Sequence, residues 1–174
     1  MSVVKKLHRM ARPDVELEVV SGFRGDRKTV LRLLNEALAT EIVCMLRYRR
    51  HHFMARGLVA QRIAEEFLVH ADEELAHADL LAERIVQLGG EPDFAPDTLK
   101  ERSHAEYVPA TTIVEMVREN LLAERLTIAS YRGLIEYLGK HDPATRRMLE
   151  GILGIKEAHA DELLDLLQSD TRAQ

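Results

Sequence analysis

The sequence predicts an all-α protein, a bundle of four long helices arranged as two antiparallel hairpins joined by a long crossover. Residues that favour helices, such as Ala, Leu, Glu and Arg, are abundant, while the 174 residues include only 9 Gly and 5 Pro. Apolar residues recur at spacings of three and four along four long stretches. Helix-breaking residues divide these stretches into two close pairs, and a proline-containing segment separates the pairs.

The first two predicted helices form one hairpin. Asp26 is a candidate N-cap, and the first helix is predicted to run from about residue 27 to 56 and to stop at Gly57. The second is predicted over about residues 59–88, before the pair Gly89-Gly90, which is a strong C-terminal signal. Because the turn between them is very short, these helices are expected to be antiparallel.

The second hairpin contains the third and fourth predicted helices. Thr111 or Thr112 is expected to cap the third helix, which ends near residue 138. Asp142-Pro143 then restarts the chain, with Asp as N-cap and Pro at the first helical position. The fourth helix is predicted to end at about Gln168.

The segment between the hairpins, residues 91–110, contains three prolines and is predicted to be a connector that can cross the length of the bundle. One short helical turn is expected near Leu99. The bundle domain therefore spans residues 26–168, with an N-terminal extension at 1–25 and a C-terminal tail at 169–174.

Composition excludes several classes of function. The net charge of −5 leaves no basic footprint for nucleic acid, so no nucleic-acid partner is expected. No stretch of about 18 apolar residues is present, so no membrane span is expected. The only cysteine, Cys44, lies among apolar residues and is expected to be a buried structural thiol. A cytoplasmic location fits these features.

Several polar residues have more than one possible role. The basic run near the end of the first helix is expected on a solvated or inter-subunit face, since helix C-termini favour cations; it comprises Arg47, Arg49, Arg50, His51 and His52. His70 is either an additional metal ligand or a core histidine bonded to a carboxylate. A further set of acids could line an entry path for a cation or the interior of an assembly, but surface salt bridges are the more common explanation; it comprises Glu65, Glu66, Glu73 and Glu162.

Five potential metal ligands fall near the middles of the four predicted helices, where an apolar core is expected: Glu41, Glu74, His77, Glu124 and His159. Each lies 16 to 20 residues from the turn of its own hairpin, so an antiparallel arrangement places all five at one height. Carboxylates in a dry core are costly unless they are paired, and a divalent cation removes the repulsion. Glu and His ligands suit iron, manganese or zinc, and the set predicts a metal site.

These segments resemble the bacterioferritin/ferritin-like family of di-iron carboxylate proteins over residues 26–168. The resemblance is carried by LLNEALATEIVCMLRY, HADEELAHADLLAERIVQLGG, LLAERLTIASY and ILGIKEAHADELLDLL. That family takes one Glu from each of two helices and a Glu-x-x-His motif from each of the other two. The resemblance implies that Glu41 and Glu124 are the single glutamates, that Glu74 and His77 form the first motif, and that His159 belongs to the second.

Two positions of the family pattern bear on chemistry beyond these ligands. Tyr48 matches a tyrosine beside the metal site of bacterioferritins and is read as either a redox-active phenol or an ordinary core residue. Leu75 stands where bacterioferritins carry a haem-ligating methionine, so no haem is expected. The resemblance implies a homo-oligomer. Because no room is expected after the fourth helix for the short fifth helix of classical ferritins, the size of the oligomer, a dimer, 12-mer or 24-mer, is left open.

The largest departure is Lys156, which stands where the second Glu-x-x-His motif requires its glutamate. Three glutamates and one lysinium carry a charge of −2, which matches one divalent ion. The leading hypothesis is therefore one tightly bound metal, with the ammonium of Lys156 in place of the second. The alternatives are two metals, with Lys156 extended towards solvent, or no metal.

The function that the resemblance implies is iron binding, with oxidation of Fe²⁺ by O₂ or H₂O₂, iron storage, or both. Because ferroxidase chemistry works best with two adjacent irons, Lys156 predicts slow or absent activity, and enzymatic activity is left open. One alternative is another mono- or di-metal oxidase or peroxidase on the same bundle. The other is a non-catalytic assembly subunit whose site has decayed. A Dps-type site, which lies between subunits, ranks lower.

Overall fold

The computed structural model describes residues 26–57 and 60–172; the predicted N-terminal extension lies outside the described residues. In chain order the elements are α1 (Arg27–Met54), α2 (Ala60–Gln87), a 3-10 turn (Pro96–Thr98), α3 (Leu99–Arg102), α4 (Ile113–Leu138) and α5 (Pro143–Arg172). The all-α prediction is therefore confirmed, and the short turn expected near Leu99 is present.

The four long helices pair as the sequence predicts. α1 packs along α2 and α4 packs along α5, and contacts of α1 with α4 and of α2 with α5 join the two hairpins. The crossover runs along the outside of this assembly, where α3 contacts α1. None of the described helices combines the length and the hydropathy that a transmembrane segment needs.

Local side-chain bonds begin three of the long helices. The carboxylate of Asp26 accepts a bond from the backbone N–H of Thr29 at 3.3 Å. Thr112 and Glu115 form a reciprocal capping box at the start of α4. At α5, Asp142 accepts from the N–H of Thr145 at 3.0 Å, which satisfies a donor that the helix itself cannot. The predicted caps at 26, 112 and 142 are all present.

Glycines end two helices in the conformation that the sequence implies. Gly89, after α2, has φ of +70°, and Gly90 donates its N–H to the carbonyl of Ile85 at 2.9 Å. Gly139, after α4, has φ of +50°. Residues with a Cβ rarely adopt these angles, so glycine allows the chain to leave the helix sharply.

The last helix is longer than predicted. α5 continues to Arg172 instead of ending at about Gln168. The segment Ser169–Arg172 contains neither Gly nor Pro, so no residue there terminates the helix.

Apolar side chains fill the bundle in two layers. The layer towards one end of the bundle includes Leu34, Leu38, Leu81, Ile85, Leu134 and Leu149. The layer towards the other end includes Phe67, Ala71, Met116, Val117 and Leu163. Between these layers, at mid-height in every long helix, lie buried charged residues, so the apolar core is interrupted by one polar layer.

The prediction that the basic run of α1 faces solvent or another subunit is wrong for Arg47 and His51, which are 1% and 0% exposed. The guanidinium of Arg47 donates to the side chain of Asn120 at 2.9 Å and to the carbonyl of Glu106 at 2.7 Å. These positions continue the core-facing stripe of α1, and bonds to α4 and the crossover satisfy the buried cation.

Candidate metal centre

The structure brings together all five residues that the sequence singles out as potential metal ligands. α1 supplies Glu41, α2 supplies Glu74 and His77, α4 supplies Glu124 and α5 supplies His159, and none of them is more than 2% exposed. Their donor atoms form two groups, each with all its atoms within 4.8 Å of one another. Matched distances from the hairpin turns thus produced the common height that the sequence predicts.

The two groups share one carboxylate. The first, here called the α1 side, comprises Glu41, Glu74 and His77, and the second, here called the α4 side, comprises Glu74, Glu124 and His159. On the α1 side His77 Nδ1 lies 3.3 Å from Glu41 Oε2. On the α4 side His159 Nδ1 lies 3.5 Å from Glu74 and 3.6 Å from Glu124. Glu74 stands between them, as a bridging ligand would.

Lys156 points into this cluster and is fully buried. Its ammonium forms an ion pair with Glu74 and lies 2.8 Å from Glu41 Oε2, whereas Glu124 Oε2 is 3.8 Å away. The alternative in which Lys156 extends to solvent is therefore wrong. The ammonium lies closer to Glu41 of the α1 side than to Glu124 of the α4 side, while Glu74 is shared, and this asymmetry distinguishes the two sides.

Many of the potential metal-ligand atoms in the cluster have no hydrogen-bond partner. They are Glu74 Oε1, Glu124 Oε2, both nitrogens of His77, and His159 Nδ1; Glu41 Oε2 makes no hydrogen bond either, but it has the Lys156 ammonium 2.8 Å away. Buried polar atoms are nearly always bonded, so the other five atoms in one layer need an explanation. Carboxylate oxygens and neutral imidazoles are ligands for Fe, Mn and Zn, and the residues present fit a divalent transition metal.

Two tyrosines bond the outer oxygens of the carboxylates. Tyr48 donates to Glu124 Oε1 and Tyr131 donates to Glu41 Oε1, each at 2.7 Å. Burial, together with the adjacent carboxylates, raises the pKa of both phenols well above the usual value. The bond of Tyr131 to Glu41 joins α4 to α1, and the sequence pattern does not predict it.

The electrostatics of the layer are set by one cation among three acids. Burial by itself would lower the pKa of Lys156, but Glu124, Glu41 and Glu74 outweigh it and hold that pKa well above the ordinary value, so the amine is charged. Burial raises the pKa of Glu74, and its position between the two other carboxylates adds to this effect. Glu41 has a lowered pKa because Lys156 and His77 more than offset burial. Lys156 likewise outweighs burial at Glu124 and lowers its pKa to about 2.

A chain of polar contacts leads from the α4 side to the surface. His159 Nε2 lies 2.6 Å from Glu73 Oε2, and the ring of His159 stacks on that of His70 with centroids 3.9 Å apart. His70 Nε2 lies 2.9 Å from Glu162 Oε2. From the sequence, Glu73 is expected only on an entry path for a cation, on the interior of an assembly or in a surface salt bridge; its bond to His159 of α5 depends on how the two helices pack.

Comparisons with known proteins agree with this geometry. The profile of the ferritin-like domain matches residues 31–173. A bacterioferritin of Desulfovibrio desulfuricans is 30% identical over 142 residues, which is 80% of this chain and 75% of that protein. A nutrient stress-induced DNA-binding protein of a Synechococcus species is 34% identical over 143 residues, or 79% of this chain and 80% of the relative.

One solved structure is also similar to this chain. It is a dodecameric thioferritin, the bacterioferritin-related protein of Bacteroides fragilis, and it superposes with a TM-score of 0.82. The sequences are 29% identical, and the match covers 85% of this chain and 89% of the thioferritin. The similarity therefore extends over nearly the whole bundle.

Proposed function

This chain belongs to the ferritin-like family, and we propose that it is an iron-handling subunit that binds one Fe²⁺ in its bundle core. Family membership supports iron binding in general. The buried carboxylates and imidazoles support the location, because such a set is stable in an apolar bundle only with cations among it. The charge and position of Lys156 support a single bound ion.

The observation that carries the proposal is the asymmetric position of the Lys156 ammonium. It lies 2.8 Å from Glu41 but 3.8 Å from Glu124. A cation already neutralises the α1 side, so a metal there would meet repulsion from the ammonium. The α4 side keeps Glu124 and His159, with Glu74 shared, and these three residues are the proposed Fe²⁺ ligands.

Charge balance also favours a single divalent ion. Three carboxylates and one ammonium leave a net charge of −2, which a single divalent ion neutralises. Four carboxylates at these positions, as in the family pattern, would balance two ions. Glu41 and His77 then support the site by holding Lys156 and filling the α1 side.

The proposed activity is slow oxidation of bound Fe²⁺, followed by release of Fe³⁺ to storage. One Fe²⁺ supplies one electron, while reduction of O₂ to H₂O₂ takes two, so a second electron must come from another source. Tyr48 is the proposed source, because its phenol bonds Glu124, one of the proposed ligands. It gives up an electron and a proton, and a second Fe²⁺ that binds after the first Fe³⁺ has left reduces the phenoxyl radical again, so that in total two Fe²⁺ and two protons reduce one O₂ to H₂O₂. A site with two irons supplies both electrons at once. Because we propose only one iron in this chain, we expect slow turnover.

The test is Lys156→Glu, which completes the second Glu-x-x-His motif. Anomalous scattering at the iron and zinc edges locates ions among the core donors. We expect one ion, on the α4 side, in the wild-type protein and two in the variant. Oxidation of Fe²⁺ in air, followed by absorbance, is expected to be at least tenfold faster in the variant.

The matched control is Lys140→Glu, which makes the same charge reversal on an exposed residue. It should leave both the number of core ions and the oxidation rate unchanged. Two ions in the core of the wild-type protein, or one ion bound by Glu41 and His77, would contradict the proposal.

A second candidate is favoured by the same ammonium. Lys156 can neutralise Glu41 and Glu74 without any metal, as expected of an assembly subunit whose metal site has decayed. A core free of metal after saturation with Fe²⁺ or Zn²⁺ would establish this alternative. The third class, a small-molecule oxidase or peroxidase on the same bundle, stays a prediction; turnover of an organic substrate would reveal it.

Assembly into a homo-oligomer is part of the proposal. The thioferritin neighbour is a dodecamer, and the outer faces of α1 and α2 expose several large apolar side chains, which typically mark protein–protein contacts. They include Leu46, Phe53, Val69 and Leu80. Light scattering coupled to gel filtration measures the number of subunits.

A further inference from the structure

A second set of ligand atoms lies outside the core cluster, at the surface between α2 and α5. Glu66 and His70 are four residues apart on α2, so their side chains share one face. Glu162 faces them from α5. One donor atom from each residue lies within 4.8 Å of the other two. His70 Nε2 is 2.9 Å from Glu162 Oε2 and 3.7 Å from Glu66 Oε1.

The imidazole in this set is held rigidly. His70 is only 1% exposed, stacks on His159 and meets the ring of Tyr48 edge-on, with centroids 5.2 Å apart. These contacts fix the ring plane, so Nε2 is aimed at the two carboxylates before any ligand arrives. A ligand oriented in advance loses little conformational entropy on binding.

The carboxylates, by contrast, are accessible. The side chain of Glu66 is 37% exposed and that of Glu162 is 52% exposed. Both line a surface cavity of about 490 Å³, whose wall also includes Arg62, Asp165 and Leu166. A hydrated cation can therefore reach the carboxylates from solvent and exchange water for their oxygens and for Nε2.

We propose that Glu66, His70 and Glu162 form a separate outer site for a first-row divalent cation such as Fe²⁺, Mn²⁺ or Zn²⁺. Two carboxylates and one imidazole are a donor set that such ions accept, and open positions would keep water. The outer site does not depend on occupancy of the core. If the proposed function also holds, the stacked pair His70 and His159 places an incoming ion next to the α4 side.

The experiment uses Zn²⁺, which does not change oxidation state, as the probe. Crystals of the full chain are soaked in Zn²⁺, and anomalous maps are calculated for the wild-type protein and for the double variant Glu66→Gln/Glu162→Gln. We expect a peak beside His70 Nε2 in the wild-type protein and none in the variant. Calorimetric titration should show the loss of one Zn²⁺ per chain.

The matched control is Glu65→Gln/Asp161→Asn, which removes two charges from exposed neighbours on the same helices. It should keep the outer peak. A wild-type map with no outer peak at saturating Zn²⁺, or a peak that survives in the double variant, would overturn the proposal. Core peaks are read separately in the same maps, so failure of the outer site and failure of the core proposal are distinguished.

Discussion

Two buried cations in this bundle have opposite surroundings. Near the end of α2, Arg84 donates to both oxygens of Asp142 at 3.0 and 3.1 Å, to Thr145 at 2.6 Å and to Gln87 at 3.0 Å. At mid-height, Lys156 lies among three carboxylates, yet several oxygens and imidazole nitrogens around it make no hydrogen bond.

We interpret the difference as that between a structural network around Arg84 and the proposed metal site around Lys156. Around Arg84 the charge and the directional bonds of the guanidinium are matched, so another ion would find little to bind. Around Lys156 one ammonium faces three carboxylates and two imidazoles. These groups offer more potential ligand atoms than one ammonium can bond. Excess donors in a dry layer are what a metal ion requires, and unbonded buried groups are therefore more informative here than bonded ones.

Removing the cation from the mid-height layer gives the largest expected effect on stability. Lys156→Met leaves three carboxylates uncompensated and is expected to reduce the free energy of unfolding by about 4 kcal/mol in the presence of chelator. One Zn²⁺ at about 100 times its Kd should restore about 2.7 kcal/mol, because it binds only the folded state. Urea unfolding at fixed protein concentration measures both quantities.

Lys140→Met is the control for that measurement, since the side chain is exposed, and its effect should stay within about 0.5 kcal/mol. Equal stability of Lys156→Met and the wild-type protein in chelator would show that Lys156 does not act as the counter-ion of the cluster.

Removing the other cation tests the contrast directly. Arg84→Met leaves Asp142 buried without its main partner and is expected to cost about 3 kcal/mol, which Zn²⁺ does not restore. Arg132→Met is the control, because Arg132 forms an exposed ion pair with Glu157 and should contribute at most about 1 kcal/mol. Recovery of Arg84→Met with Zn²⁺ would remove the distinction between the two networks.

The third and smallest effect concerns a buried imidazole that belongs to neither network. Neither ring nitrogen of His51 meets the geometry of a hydrogen bond, although Val108 and Asn120 lie near. Burial, together with the cation of Arg47, lowers the pKa of His51 to about 4 from an ordinary value of 6.5.

The unfolded chain therefore takes up a proton at a higher pH than the folded one, and stability is lost as the pH falls from 6.5 towards 4. Between pH 7 and pH 5 the loss assigned to His51 is about 2 kcal/mol. His51→Leu should flatten the dependence of the unfolding free energy on pH by this amount, while His141→Gln, at an exposed position, should not. An unchanged slope in His51→Leu would contradict the lowered pKa.

Much of the fold was predictable because the signals are local. Asp26, Thr112 and Asp142 cap helices through bonds to residues three positions away, and Gly89 ends one through its own backbone angle. The end of α5 was misjudged because nothing in the sequence marks it.

The candidate site was predictable in membership but not in arrangement. Its five residues share one height because the hairpins are antiparallel, a relation that can be counted along the chain. The bond of Tyr131 to Glu41, the bond of Glu73 to His159 and the stacking of His70 on His159 each join different helices. Such contacts depend on helix rotation and separation, which spacing along one helix does not contain.

The sequence by itself determined four helices, their pairing and a polar layer of carboxylates and imidazoles with one lysine. Helical periodicity and turn residues are properties of neighbouring positions, so these features follow without a structure. Only the tertiary structure decided where the Lys156 ammonium lies and which donors remain unbonded. The physical reason is that a long, flexible side chain in a packed core takes its position from charges on three other helices, and those charges meet only when the bundle closes.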